Sequence, residues 1–199
     1  YYSDFDENGS TETILCNFKN GAYYPLLGLD ELASQIVSLR KKFTNYKSFA
    51  GKSINAIFEK SVLKKARIFE VNTLASGFLK NENNTFTFVP FKNELQVSPI
   101  SSFLEYDFNA DGDNEVLVAG NYFGVSPYQG RFDSFPGALI FNEDKIVLGN
   151  KIGLDFNQKA VKKLNIIKVQ NKSYVLATIN NDHAQVYELT HLKDDYKKL

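Results

Sequence analysis

The chain has 199 residues, with Lys+Arg and Asp+Glu balanced at 23 each, 43% hydrophobic and 14% aromatic residues, and a single cysteine. This composition excludes a disulfide framework, argues against a whole-protein electrostatic partner such as nucleic acid, and fits a globular, β-rich protein. No apolar run approaches the roughly 18–20 residues of a membrane span, so no membrane-spanning helix is expected.

Methionine is absent even from position 1, and the opening YYSD is neither a translation start nor a signal peptide. The chain is therefore expected to be a processed product, an excised segment or part of something longer. After an acidic stretch at 4–12, residues 12–27 read as a hairpin, two apolar runs around the turn KNG. A helical stretch follows, because Leu29, Leu32, Ile36, Leu39 and Phe43 fall at steps of three and four and make one apolar stripe. A second helix is expected to open at Ser53 as N-cap, burying Ile54, Ile57 and Phe58, with a short third turn over Ser61–Lys65.

From residue 68 onward the pattern is β. RIFEVNTLASGFL and TFTFVPF flank the turn KNENN, SPISSFLEYDF runs into a second acidic stretch, and EVLVAGNYFG leaves it. GALIFNEDKIVLGN is a hairpin turning at NED, VKKLNIIKVQNKSYVLATI turns at QNK, and AQVYEL is a last short strand. Many short strands at close spacing suit a sandwich, a barrel or a propeller.

The two acidic stretches, DFDENGSTE at 4–12 and DFNADGDNE at 107–115, share one grammar. Each has oxygen-bearing side chains at alternate positions, a glycine at the sixth and a glutamate at the ninth. A hard cation such as Ca²⁺ takes six to eight oxygens, with carboxylates supplying charge as well as donors. The first set is Asp4, Asp6, Asn8, the Ser10 carbonyl and Glu12, with Gly9 at the turn. The second is Asp107, Asn109, Asp111, the Asp113 carbonyl and Glu115, with Gly112 at the turn; its extra carboxylate makes it the stronger expected site. An EF-hand is excluded, because it needs a glutamate at position twelve and a helix afterwards. Here position twelve is Leu15 or Val118, and strand-like sequence follows. A pair of Asx-rich turns, which need no metal, is the plainer alternative.

A nine-position loop that closes on an acid and enters a strand resembles the calcium loop of FG-GAP (VCBS-type) repeats, the blades of β-propellers in integrin heads and many secreted bacterial proteins. The order SLRKKFTNYKSFAGKSINAIF, LASGFLKNENNTFTFVPF, QVSPI, DFNADGDNEVLVAGNYFG, GRFDSFPGALI and the NND of INNDHAQVYEL is similar to the C-terminal part of large proteins of that kind, over roughly residues 4–190. DFNQKA at 155–160 reads as a decayed third loop, and NEDK is a shorter turn than the family's. The resemblance implies a mainly β fold, a partial β-propeller with a small α-helical insertion. Its expected divisions are 1–28, a partial first blade with a calcium loop; 29–67, the insertion; 68–150, one or more blades with the second loop; and 151–199, a final degenerate blade and tail. Propellers close with four to eight blades. This chain holds about three at the family's roughly 50 residues each, so the remaining blades are expected from a longer parent chain or another protein chain.

The other signals are bland. Arg40, Lys41, Lys42, Lys47, Lys52, Lys60, Lys64, Lys65 and Arg67 face a single acid, Glu59, but no aromatic platform or docking motif accompanies them. A solvated helix face is expected, not a nucleic-acid site. His183 and His191 fit no metal or catalytic spacing, Cys16 reads as a small apolar residue, and Arg131 with Asp133 reads as a structural ion pair or hydrogen-bonding corner. With no nucleophile or paired acids outside the loops, the expected function is non-enzymatic: a scaffold, with two Ca²⁺ sites, for a surface protein or glycan ligand. The resemblance places it extracellularly or on a bacterial outer-membrane surface. The alternative is a part of a larger propeller enzyme whose active site lies mostly outside this segment.

Overall fold

A computed structural model describes residues 1–126, 130–142 and 145–190. Strand accounts for 36% and helix for 17%, so the chain is mainly β, built from small antiparallel sheets with no closed barrel among the described residues. It divides into two compact units, Tyr1–Thr73 and Leu74–Leu199. Among the described residues no helix is long and apolar enough to cross a membrane.

In the first unit, β1 (Tyr2–Ser3) pairs with β2 (Glu12–Thr13), and the first acidic stretch is the loop between them. β3 (Cys16–Lys19) and β4 (Ala22–Pro25) form the expected hairpin. Its turn places Asn20 at φ 51° and Gly21 at φ 78°, the paired left-handed residues that a two-residue turn needs to match strand twist. Five short helices follow: α1 (Leu29–Gln35), α2 (Leu39–Lys42), α3 (Tyr46–Phe49), α4 (Ile54–Ile57) and α5 (Lys60–Lys65).

The expected apolar stripe is all buried, Leu29, Leu32, Ile36, Leu39 and Phe43 alike, yet it is carried by two helices. The break falls at Ile36-Val37-Ser38, two β-branched residues and a serine, types that hold a helix poorly. α3 was not legible as a helix in the sequence; Asn45 caps it by accepting the Ser48 N–H at 2.9 Å. Ser53 does sit at the N-cap of α4, but its hydroxyl makes no capping bond. The helices share one core with residues before them: Phe5 and Ile14 pack in the same cluster as Leu32, Ile36, Ile54 and Phe58.

The second unit begins with the hairpin β5 (Gly77–Glu82) and β6 (Thr85–Pro90), turning through Asn83 and Asn84 at φ 52° and 64°. Four strands in sequence order make an antiparallel meander: β7 (Ile100–Tyr106), β8 (Glu115–Gly120), β9 (Ala138–Ile140) and β10 (Ile146–Leu148). The second acidic stretch links β7 to β8; the turn expected at NED falls partly outside the described residues. A three-stranded meander follows, β11 (Val161–Val169), β12 (Lys172–Ile179) and β13 (Gln185–Glu188).

Alternation along β8 covers both faces of its sheet. Leu117 and Ala119 pack with Leu139, Leu164, Val175 and Ala177, joining the two meanders, while Val118 packs with Leu95, Phe135 and Ala138 on the other side. β7 packs against β11 through side-chain bonds to main chain. Ser102 Oγ accepts the Leu164 N–H at 2.8 Å, and Ser101 Oγ donates to Val161 O.

One expectation fails here. Residues 68–76, read as the start of a strand, lie in none; β5 begins only at Gly77. Strand-forming residues need a neighbour to pair with, and between the bridge of Arg67 to Tyr2 and the bond from the Phe91 N–H to Ser76 O at 2.9 Å this run has no main-chain partner among the described residues.

Candidate metal centres

All ten residues expected to hold cations lie in the two hairpin loops, which close at corresponding places: Ser3 pairs with Glu12, and Tyr106 with Glu115. The first position frames each loop. Asp4 accepts from the Asn8 N–H at 3.1 Å and the Gly9 N–H at 2.8 Å; Asp107 accepts from the Asp111 and Gly112 N–H groups, both at 3.1 Å. The fifth position then accepts from the seventh: Ser10 N–H to Asn8 at 2.7 Å, Asp113 N–H to Asp111 at 2.9 Å. The fourth and sixth positions are left-handed in both, Glu7 and Gly9 at φ 57° and 88°, Ala110 and Gly112 at 61° and 99°.

The ninth position is buried in each loop. Glu12 accepts the Phe5 N–H at 3.0 Å, and Glu115 accepts the Phe108 N–H at 2.9 Å. The second-position rings, Phe5 and Phe108, are themselves buried in the two main cores. Each loop is thus nailed down by an aromatic ring on one side and a glutamate on the other.

The loops differ at the third position. In the first, donor oxygens of Asp4, Asp6 and Glu12 lie within 4.8 Å of one another. Asp6 Oδ1 is buried and has no hydrogen-bond partner among the described residues, so it is an acceptor that a cation could satisfy. In the second, Asn109 replaces that acid, and its amide donates to Asp111 Oδ2 at 2.8 Å, so one side chain satisfies another. Donor clustering therefore favours the first loop, the reverse of the order expected from counting carboxylates.

Charge crowding is visible in the second loop. Burial raises the Glu115 carboxyl above its ordinary value, with the charges of Asp111 and Asp107 adding to the rise and the Phe108 N–H opposing it. Asp111 is lowered, chiefly by the Asp113 N–H and next by the Asn109 amide. A bound cation would favour the charged form of both. Donor types, loop closure and the orphaned Asp6 oxygen fit a hard divalent ion. Beside this loop lies a polar cleft of about 460 Å³, lined by Asp107, Ala110, Asn114, Lys172 and Thr190 among others.

Elsewhere the expected corner at 130–137 forms without an ion pair among the described residues. The Arg131 guanidinium lies 5.0 Å from the Phe123 ring centre, and Asp133 accepts the Gln158 N–H through its main-chain oxygen at 2.8 Å. His183 is exposed, His191 lies outside the described residues, and Cys16 packs partly buried against the first core.

Sequence reading missed Asn121, which it placed only within the strand-like run EVLVAGNYFG. It is buried at φ 78°, and its amide donates to Phe135 O at 3.0 Å, Phe156 O at 2.9 Å and Lys159 O at 3.1 Å. Its side-chain oxygen accepts the Phe135 N–H at 3.1 Å. An asparagine directly after a buried strand, where φ turns positive, was the available signal. The chain matches no protein-family model, no curated protein and no solved structure.

Proposed function

We propose that this chain is a calcium-stabilised segment of a β-propeller of the FG-GAP/VCBS type, belonging to a secreted or cell-surface bacterial protein and serving as a non-catalytic scaffold for protein or glycan partners. One observation carries the reading. Two loops far apart in sequence have the same hydrogen-bonded frame, each closed by a buried glutamate, and the first holds a buried acid oxygen without a partner.

The strand layout supports it. β7–β10 is a four-stranded meander with its acidic loop between the first two strands, and its first strand runs beside the first strand of the next meander. Neighbouring propeller blades are related in that way. Sheets of two and three strands leave places for strands from a longer parent chain or another chain.

Asp4, Asp6, Asn8, Ser10 and Glu12 would hold one ion, and Asp107, Asn109, Asp111, Asp113 and Glu115 the other. Calcium would supply charge neutralisation, and its binding energy would add to folding stability because the unfolded chain presents no such cluster. The polar lining of the cleft beside Asp107 would suit a hydroxyl-rich ligand.

Calorimetric titration with Ca²⁺, alongside thermal unfolding with and without chelator, tests the reading. Two bound ions and a raised Tm are expected. Asp6→Asn should weaken the first site, and the pair Asp107→Ala and Asp111→Ala should remove the second. If neither uptake nor Tm responds to these changes, the loops are turns and the reading falls.

A further inference from the structure

One face of the β7–β10 meander is covered along only part of its length. Phe103, Val116, Ile140 and Ile146 stand on the same face as Val118 and Ala138, because residues opposed across antiparallel strands point the same way. Val118 and Ala138 are buried with Leu95 and Phe135, whereas Phe103 is 54% exposed. Phe78 and Val89 of the β5–β6 hairpin, with Phe91 just after it, line the same pocket of about 450 Å³, whose lining residues all belong to the second unit.

The hairpin wall is fixed at its base. The Gln96 side chain accepts the Ser76 N–H and donates to Ser76 O and Phe91 O, each at 2.9 Å, and the neighbouring Leu95 is fully buried against the sheet. The space is therefore framed before anything enters it, and its size falls in the range of about 300–1,000 Å³ of small-molecule sites.

Its lining says what fits. Nine of the thirteen described lining residues are apolar, four of them phenylalanine, so the body of an occupant is apolar and gains from ring contact. Lys92 and Asn142 are engaged within the chain, and the Lys145 ammonium lies 4.0 Å from the ring centre of Phe141. Glu105 differs from these. It carries no hydrogen bond or ion pair among the described residues, and it shares its face with Phe103, two residues before it, and with Val116 across the strands. A carboxylate on an apolar face, beside rings that themselves attract positive charge, selects a cation.

We propose that this pocket binds a small molecule with a ring-bearing apolar body and one protonated amine, the body among Phe78, Phe91 and Phe103 and the amine on Glu105. None of the proposed calcium ligands lines the pocket, so this reading stands or falls apart from the metal sites.

Fluorescence titration of the full chain at neutral pH with monodansylcadaverine, dansylamide and dansylglycine tests it, since the three carry one ring system with an amine, no charge and a carboxylate. The amine should saturate one site about two- to fivefold more tightly than dansylamide, with dansylglycine weakest. Glu105→Gln should bring the amine down to the level of dansylamide with Tm unchanged, because the side chain is exposed and unpaired. Phe103→Ala should weaken the amine and dansylamide together, by about fivefold. Absence of saturable binding, equal affinity for the three probes, a Glu105→Gln variant that still prefers the amine, or binding indifferent to Phe103→Ala overturns the proposal.

Discussion

Glu115 accepts the main-chain N–H of Phe108 at 2.9 Å, joining the last residue of the second acidic loop to its second residue. The bond is buried, so the N–H cannot turn to water if its acceptor is lost. Glu12 and Phe5 repeat it in the first loop at 3.0 Å.

Replacing either glutamate by leucine therefore strands a buried donor, a loss of about 1–3 kcal/mol. Glutamine keeps an oxygen in place and should lose less. Urea unfolding of Glu12→Leu and Glu12→Gln in chelator checks the order; equal stabilities would show that the bond carries nothing.

The pH response of the metal-free protein follows from the opposite shifts at Glu115 and Asp111. The raised Glu115 binds its proton more tightly folded than unfolded. Its contribution to stability is thus complete below the ordinary carboxylate range and lost as pH rises through the raised folded value. Asp111, lowered, contributes above the ordinary range and loses that contribution as pH falls through its folded value. In chelator, Tm of wild type relative to Glu115→Gln should rise on mild acidification, before Asp111 titrates. Saturating Ca²⁺ should reverse the slope, because the ion competes with that proton.

Asn121 ties the stretches around 135 and 156–159 together with one amide, so Asn121→Ala should cost about 1–3 kcal/mol, chiefly because the buried Phe135 N–H loses its acceptor, while Phe156 O and Lys159 O keep main-chain donors. Asn121→Gly relieves the left-handed backbone but restores none of the bonds, and should recover only about 1 kcal/mol of that loss. Denaturant midpoints for the two variants test the division between side chain and backbone.

Gly120, at the end of β8, has no room for a side chain: an added Cβ would lie 1.9 Å from Pro99 O and 2.9 Å from Ile100 Cα. These are backbone atoms that cannot swing aside, so Gly120→Ala should cost at least about 1–3 kcal/mol, the usual range for overpacking. Gly112→Ala meets open space and pays only for its φ of 99°. Comparing the two in chelator separates steric strain from backbone strain.

Much of the fold was legible because its causes are local. Asn-Gly and Asn-Asn turns announce hairpins through their left-handed residues, and the stripe from Leu29 to Phe43 announces a buried face. The two acidic loops were legible for the same reason, since Asp4 and Asp107 bond N–H groups only four and five residues on.

What the amino-acid order alone determined, then, is where turns fall, which residues face a core and where oxygen donors are gathered, each set by neighbours within a few residues. Only the tertiary structure decided which donors are left unpaired, as at Asp6, which amide closes a distant corner, as at Asn121, and that 68–73 has the sequence of a strand but no ladder. Those outcomes depend on atoms brought from elsewhere in the chain. A hydrogen bond or a strand pairing exists only when its partner arrives, and no local pattern records that arrival.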